Sequence, residues 1–150
     1  MAVYHLMTYL HYISIFFVFT GVFLELVLVR KTLSALNFKR VVLADSLYGI
    51  FSILVVTTGL LRAFIYGKGS DYYFSNWIFN LKFSLFIVAG LLSIYPTVVF
   101  LKERKAQKTN PTAEIEFEKY ELIRKFILLE FLILLVIPML AILMASGIGM

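Results

Sequence analysis

The 150-residue sequence contains no cysteine. This absence excludes disulfides, thiolate metal sites, iron–sulfur clusters and covalently attached c-type haem. Histidine is limited to two residues, and the acidic residues are not grouped at metal-ligand spacing, so the sequence predicts no redox-inactive metal site. Gly67 and Gly69 are turn residues and lack the longer signature of a phosphate loop, and no nucleophile-elbow or metalloprotease motif appears. No sequence motif therefore indicates an enzyme.

Charged residues are scarce, at 15% of the chain, whereas hydrophobic residues make up 61%. This composition is typical of an integral membrane protein. The formal net charge of +5 could suggest nucleic-acid binding, but the basic residues cluster between apolar segments. Such clusters are typical of topology determinants and of contacts with anionic membrane lipids. We therefore expect lipid contacts and no nucleic-acid partner.

Four apolar segments each exceed the roughly 20 residues that a helix needs to cross the hydrocarbon core. They cover residues 5–29, 41–65, 77–101 and 123–145. They are joined by loops 30–40 and 102–122 and by a hairpin at 66–76. The sequence thus predicts one all-α transmembrane domain over residues 1–150, a four-helix bundle, since helices satisfy their own backbone groups within lipid.

The distribution of basic residues predicts the orientation of this bundle. Loops 30–40 and 102–122 are rich in lysine and arginine, whereas the hairpin turn holds only Lys68 and the terminal tails hold none. The positive-inside rule then places both loops in the cytoplasm and both termini outside, an N-out/C-out topology. Tyrosines and the tryptophan that fall near the predicted outer interface agree with this orientation.

The second cytoplasmic loop has features of a helix. Asn110 and Pro111 resemble an N-cap followed by a first-turn proline, and EIEFEKYELIRK follows them. We expect a cytoplasmic helical extension that runs unbroken into the fourth span. Its charged face is either solvated or docks a partner. Pro138 lies inside the fourth span and predicts a kink that neighbouring helices accommodate.

Small and polar residues recur at helical spacing on the second span, at Asp45, Gly49, Ser52, Val56 and Gly59. Small residues allow helices to approach closely, so this stripe predicts a helix–helix interface.

The ionisable residues within the spans fall into two layers, and such residues usually face the bundle interior. The layer toward the cytoplasm contains three carboxylates, each within reach of an arginine at a helix end. The carboxylates are Glu25, Asp45 and Glu130, and the arginines are Arg30, Arg40 and Arg124. We expect this layer to be structural and to form ion pairs.

The layer toward the outside contains His11, Arg62 and Lys82 without a nearby intramembrane acid. A bound anion would satisfy these groups, such as a lipid phosphate, a quinone oxygen or a propionate-bearing tetrapyrrole. Alternatively, Arg62 and Lys82 extend to the lipid headgroups while His11 bonds to a neighbouring hydroxyl or carbonyl. His5 and His11 lie roughly 120° apart on one helix and cannot sandwich a haem. Haem binding would need His11 opposite a lysine, methionine or tyrosine, or a haem shared between protomers.

Several segments resemble a family of bacterial inner-membrane proteins catalogued as a domain of unknown function. The resemblance extends to about residue 105 and is carried by LHYISIFF, ELVLVR, ADSLYGI, TGLLRAFIYGKGSDYY, NWIFNLK and LLSIYPT. It implies a multi-pass protein of the bacterial inner membrane.

More distantly, His11 and the segment WIFNLK are similar to HemJ-type protoporphyrinogen IX oxidases, and the chain is similar to CopD-type membrane domains at a comparable distance. The HemJ resemblance implies haem b and an oxidase activity, with His11 and Lys82 as functional residues. Those oxidases have a further histidine near the end of the third span, where this chain reads SIYPT.

Two classes of function are compatible with these patterns. The first is a membrane protein that binds haem b or another porphyrin, a quinone or a lipid headgroup at His11, Arg62 and Lys82. The second is a non-catalytic accessory subunit or scaffold of a larger membrane complex or homo-oligomer. A transporter is disfavoured, because four short spans leave little room for alternating access.

Overall fold

A computed structural model describes residues 2–66 and 69–149 of the chain. Gly67 and Lys68, which the sequence places in the hairpin turn, lie outside the described residues. The elements in chain order are α1 (Ala2–Leu28), β1 (Thr32–Leu33), α2 (Ala35–Leu60), a π-helix (Leu61–Ile65), α3 (Ser70–Ser75), α4 (Trp77–Gln107), β2 (Ile115–Glu116) and α5 (Tyr120–Ala145).

Four helices of the described chain are long and apolar enough to cross a membrane. They are α1, α2 together with its π-helical end, α4 and α5. The predicted all-α four-helix membrane bundle is therefore confirmed. We call the end of the bundle that carries α3, the first turn of α1 and the last turn of α5 the hairpin end. The opposite end, which carries β1 and β2, is called the loop end.

The bundle is built from two antiparallel helix pairs, in which α1 packs along α2 and α4 packs along α5. The first pair is in close contact at Gly21, where an added Cβ would lie 2.9 Å from the Cβ and backbone nitrogen of Tyr48. Gly59 also faces the interior, since an added Cβ there would lie 3.1 Å from Cε1 of His11. Gly49 is exposed and an added Cβ would meet nothing within 4 Å, so its predicted place in the interface is wrong. It follows Tyr48 by one residue and therefore faces about 100° away.

The loop end is closed by a two-stranded antiparallel sheet instead of a helix. β1 pairs with β2 in a register that places Thr32 opposite Glu116 and Leu33 opposite Ile115. The predicted helical extension before the fourth span is wrong, because residues 108–119 form turns and β2, and α5 begins only at Tyr120. It is α4 that continues beyond its predicted span, to Gln107.

The reason for this error lies in the periodicity of the segment. Ile115 and Phe117 are buried, whereas Glu116 and Glu118 are exposed, which is the two-residue alternation of a half-buried strand. Charged residues favour a helix by composition, but the alternating apolar side chains bury only in an extended chain. Phe117 then packs against the rings of Phe38 and Phe100, at centroid distances of 6.3 and 5.8 Å.

The hairpin end is held by Asn76, which is fully buried. Its side-chain oxygen caps α4 by accepting hydrogen bonds from the backbone nitrogens of Ile78 and Phe79, at 2.9 and 3.2 Å. Its side-chain nitrogen donates to the carbonyl of Ile148 at 3.3 Å, and the Trp77 amide donates to the carbonyl of Gly149 at 3.2 Å. The segment after α5 is therefore attached to the first turn of α4.

Candidate functional site

The last turn of the second span is a π-helix, Leu61–Ile65, in which the Tyr66 amide donates to the carbonyl of Leu61, five residues earlier, at 3.1 Å. One-turn π-helices widen a helix by one residue, redirect the side chains and occur frequently at functional sites. Arg62 lies in this turn. The sequence analysis did not predict the π-helix, because no composition or spacing marks such an insertion.

A cavity of about 610 Å³ lies near the hairpin end between the α1–α2 pair and the α4–α5 pair. His11, Arg62 and Lys82 all line it, so the structure brings together the three residues that the sequence analysis placed in the outer layer. They come from α1, the π-helix and α4, respectively. Most of the remaining wall is apolar or aromatic, as at Phe83, Phe86, Leu134 and Ile137.

His11 is held in one orientation by the second span. Its Nδ1 lies 3.1 Å from the carbonyl oxygen of Val55 and 3.0 Å from Oγ1 of Thr58. The Thr58 hydroxyl donates to the carbonyl of Leu54 at 2.6 Å, so both neighbours of Nδ1 act as acceptors and Nδ1 carries a proton. The sequence allowed His11 to bond to a neighbouring hydroxyl or carbonyl without any ligand. These are such contacts, and they involve only Nδ1. Within the described chain Nε2 makes no hydrogen bond.

The two cations of the site are placed against aromatic rings and not against acids. The Arg62 guanidinium lies 5.5 Å from the ring centroid of Tyr12 and 6.0 Å from that of Tyr4, and its Nε is buried without a hydrogen-bond partner. Nζ of Lys82 lies 5.4 Å from the ring centroid of Phe79 and 3.7 Å from Sδ of Met144. Among the described residues neither cation has a carboxylate at salt-bridge distance.

Several residues of this site were missed by the sequence analysis as site residues. Tyr4 precedes His11 by seven residues, a helical spacing that could have placed both on one face. Gly59 could have been recognised as the position that leaves room for a ring from a neighbouring helix. Tyr12 and Met144 carry no such signal, because their contacts depend on how α1 and α5 pack.

The three carboxylates of the other layer form a buried cluster at the core of the bundle. Glu25, Asp45 and Glu130 are 2%, 8% and 1% exposed, and they are close enough to interact electrostatically. Asp45 accepts a hydrogen bond from the hydroxyl of Thr97, and the hydroxyl of Tyr48 lies beside Glu130. Oε1 of Glu25 and Oε1 of Glu130 have no hydrogen-bond partner in the described structure.

The expected pairs between these carboxylates and arginines do not form. The one salt bridge in the described part of the chain joins Lys31 to Glu116 on the surface, at 3.6 Å. Arg40 instead donates to Asn37 at 3.4 Å, and Arg124 donates to the Tyr120 hydroxyl at 3.2 Å. Arg30 is exposed. Long cationic side chains at helix ends extend toward the interface, where water and headgroups solvate them, and so leave the carboxylates alone.

This arrangement predicts that amide substitutions in the cluster are tolerated. Glu25→Gln and Glu130→Gln keep the side-chain volume and leave no arginine without a partner, so we expect the free energy of unfolding to change by about 1 kcal/mol or less. Breaking a buried ion pair would instead cost about 3–5 kcal/mol. Thermal unfolding followed by circular dichroism in nanodiscs measures the difference, with Arg124→Gln as the control. A large loss of stability in Glu25→Gln or Glu130→Gln, together with a similar loss in Arg124→Gln, would contradict the arrangement.

The bundle and its cavity define a four-helix membrane protein with a cationic, aromatic-walled cavity near one end. The chain belongs to the family described as predicted membrane protein (DUF2214), whose model matches residues 3–149. The resemblance to a membrane family catalogued as a domain of unknown function is thereby confirmed. No curated protein and no solved structure matches the chain. The similarities to HemJ-type and CopD-type proteins therefore rest on the quoted residues alone.

Proposed function

We propose that this protein binds an amphipathic molecule with an anionic or oxygen-bearing head, in the outer leaflet of a bacterial inner membrane. The observation that carries the proposal is the convergence of Arg62 and Lys82 on one cavity, with no carboxylate at salt-bridge distance among the described residues. Two cations in an apolar surrounding are unfavourable without a counter-charge. A negatively charged head between them removes this cost.

The polar groups of the cavity suit such a head. Arg62 has a buried Nε with no acceptor, and the Lys82 ammonium donates to the sulfur of Met144, which is a weak acceptor. A phosphate, carboxylate or quinone oxygen would accept charge-assisted hydrogen bonds from both cations. Nε2 of His11 would then be available to accept a hydrogen bond from the ligand.

The rest of the cavity suits an apolar body. Phe83, Phe86, Leu134 and Ile137 line the wall away from the cations. The volume of about 610 Å³ falls within the roughly 300–1,000 Å³ that is usual for small-molecule sites. A lipid, an isoprenoid quinone and a tetrapyrrole with propionates all combine such a head with such a body.

Haem b fits this site with a single histidine ligand. A hydrogen-bonded Nδ1 and an unbonded Nε2 form the usual arrangement of a metal-ligating histidine, and His11 has it. Lys82 and Met144 line the same cavity and would be the other candidate ligands of the iron, and Arg62 would bind a propionate. Haem would supply one-electron chemistry, while these residues would bind and orient it.

The test is to identify what the purified protein carries. The full chain is extracted in native nanodiscs and transferred to detergent, and the molecules that remain bound are identified by absorption spectroscopy and by mass spectrometry of the lipid and quinone extract. We expect one ligand class near one equivalent in the wild type. In Arg62→Gln/Lys82→Gln its occupancy falls at least tenfold, because each charge-assisted hydrogen bond contributes about 1.5–3 kcal/mol. Lys102→Gln/Lys105→Gln removes the same charge at the loop end and is expected to keep the ligand.

The outcomes separate the alternatives. A Soret band that His11→Ala abolishes identifies haem, whereas an extractable quinone or phospholipid without a Soret band identifies the other classes. Equal occupancy in the wild type and in Arg62→Gln/Lys82→Gln would contradict the proposal. An empty cavity in a chain that co-purifies stoichiometrically with a larger membrane assembly would contradict it too, and would favour the accessory-subunit hypothesis.

A further inference from the structure

A second cavity, of about 490 Å³, opens at the loop end between the first turns of α2 and the last turns of α4. We call it the basic groove. Its polar lining consists of Lys39 and Ser46 from α2, Arg104 and Gln107 from α4, and Lys108, which follows α4; its apolar lining includes Phe38, Val42 and Leu43. The groove is separate from the cavity at the hairpin end, with which it shares no lining residue.

The charges of the basic groove are all of one sign. Lys39, Arg104 and Lys108 line it and no acidic residue does, and none of the three forms a salt bridge in the part of the chain that the structure describes. The side-chain nitrogen of Gln107 is buried there and has no hydrogen-bond partner. Three cations and an unpaired amide donor at one place match the oxygens of a phosphate group.

The position of the groove indicates which kind of phosphate-bearing molecule it would bind. It lies at the end of the bundle that holds the basic loops, which the positive-inside rule places at the cytoplasmic headgroup layer. Below the cations, Leu43 is 60% exposed, and Ile50, seven residues further along the same face of α2, is 58% exposed. A charged top that continues into an exposed apolar stripe suits a headgroup and its acyl chain.

We propose that the basic groove is a binding site for one anionic phospholipid of the cytoplasmic leaflet. The phosphate lies among Lys39, Arg104 and Lys108, the Gln107 amide donates to one of its oxygens, and an acyl chain follows Leu43 toward the middle of the membrane. A lipid held here contacts both α2 and α4. It therefore joins the two helix pairs at an edge where few residues of their own touch.

The test compares the retention of two lipids with the same acyl chains. The full chain is exchanged into nanodiscs of phosphatidylcholine that contain a small fraction of phosphatidylglycerol, and lipid that remains bound after transfer to detergent is counted by native mass spectrometry. The Arg62→Gln/Lys82→Gln background is used alongside the wild type, so that lipid in the other cavity does not contribute. We expect one phosphatidylglycerol to be retained in the Arg62→Gln/Lys82→Gln background and at least one in the wild type, and phosphatidylcholine to be lost from the Arg62→Gln/Lys82→Gln background.

Substitution in the groove is expected to abolish this retention. In Lys39→Gln/Arg104→Gln/Lys108→Gln the affinity for phosphatidylglycerol falls on the order of 100-fold, because each basic residue near an anionic headgroup contributes about fivefold.

The matched control is Lys102→Gln/Lys105→Gln/Lys119→Gln, which removes the same charge from the same end of the bundle at positions outside the groove. We expect it to change the affinity less than about fivefold. Equal losses in the two triple variants would overturn the proposal, since the effect would then be general surface charge. Displacement of the lipid by millimolar inorganic phosphate would overturn the lipid assignment. Arg104→Lys keeps the charge, and we expect it to retain the lipid; an unchanged circular dichroism spectrum of the triple groove variant shows that its loss of binding is not a loss of folding.

Discussion

Replacing Gly21 with leucine is expected to destabilise the bundle by about 3 kcal/mol, because the side chain has no space between α1 and α2. An added Cβ at this position would already lie 2.9 Å from the backbone nitrogen of Tyr48 and 3.0 Å from its Cα. These are backbone atoms, so the helices must separate. Separation also weakens the packing of the buried residues Val18 and Val22 on the same face of α1. The midpoint of thermal unfolding in nanodiscs, followed by circular dichroism, measures the effect.

Gly49→Leu is the matched control for this substitution. Gly49 lies on the same pair of helices, one residue after Tyr48, and an added Cβ there would meet nothing within 4 Å. We expect its unfolding midpoint to stay close to that of the wild type, since the leucine would face lipid. If the two leucine variants were equally stable, α1 and α2 would not be in contact at Gly21.

Replacing Phe117 with alanine is expected to cost about 3–5 kcal/mol, the usual range for removing a buried aromatic ring. Phe117 is 2% exposed and packs against Phe38 at the start of α2 and Phe100 near the end of α4. Its amide also donates to the carbonyl of Lys31 at 2.9 Å, next to the β1–β2 pair. We therefore expect removal of the ring to destabilise the packing of α2, α4 and the two strands at the loop end together. Hydrogen exchange of the Leu33 and Ile115 amides, together with the thermal midpoint, measures it.

Glu118→Ala serves as the control, because Glu118 is the exposed neighbour of Phe117 in the same extended segment. We expect it to leave both the thermal midpoint and the exchange rates nearly unchanged. Fast exchange of the strand amides in the wild type, or identical behaviour of the two alanine variants, would contradict the presence of a packed sheet at this end.

The outer layer of ionisable residues shows how much of the site can be predicted from residue positions along the chain. His11, Arg62 and Lys82 lie at similar distances from the ends of their spans, and consecutive spans run in opposite directions, so a similar depth follows from the sequence. Their common cavity does not follow. It depends on the π-helix that carries Arg62 and on the packing of α4 and α5 opposite α1.

The layer of carboxylates shows what residue positions along the chain do not predict. Depth alone places Glu25 and Glu130 near Arg30 and Arg124, yet depth does not determine in which direction a side chain extends. The structure buries the carboxylates within electrostatic reach of one another, with Tyr48 beside Glu130, and leaves the arginines on the surface. The free energy of solvating a guanidinium favours the interface, and sequence distance carries no information on that choice.

The sequence by itself determined the number of helices and their approximate length, because lipid offers no hydrogen bonds and each apolar segment must satisfy its own backbone. It also divided the ionisable residues of the spans into two layers. Only the tertiary structure decided how α1, α2, α4 and α5 pair, that Ile115–Glu116 joins Thr32–Leu33 as a strand, and that two cations share one cavity. These features arise from contacts between residues far apart in the chain, and their energies depend on packing that local composition does not encode.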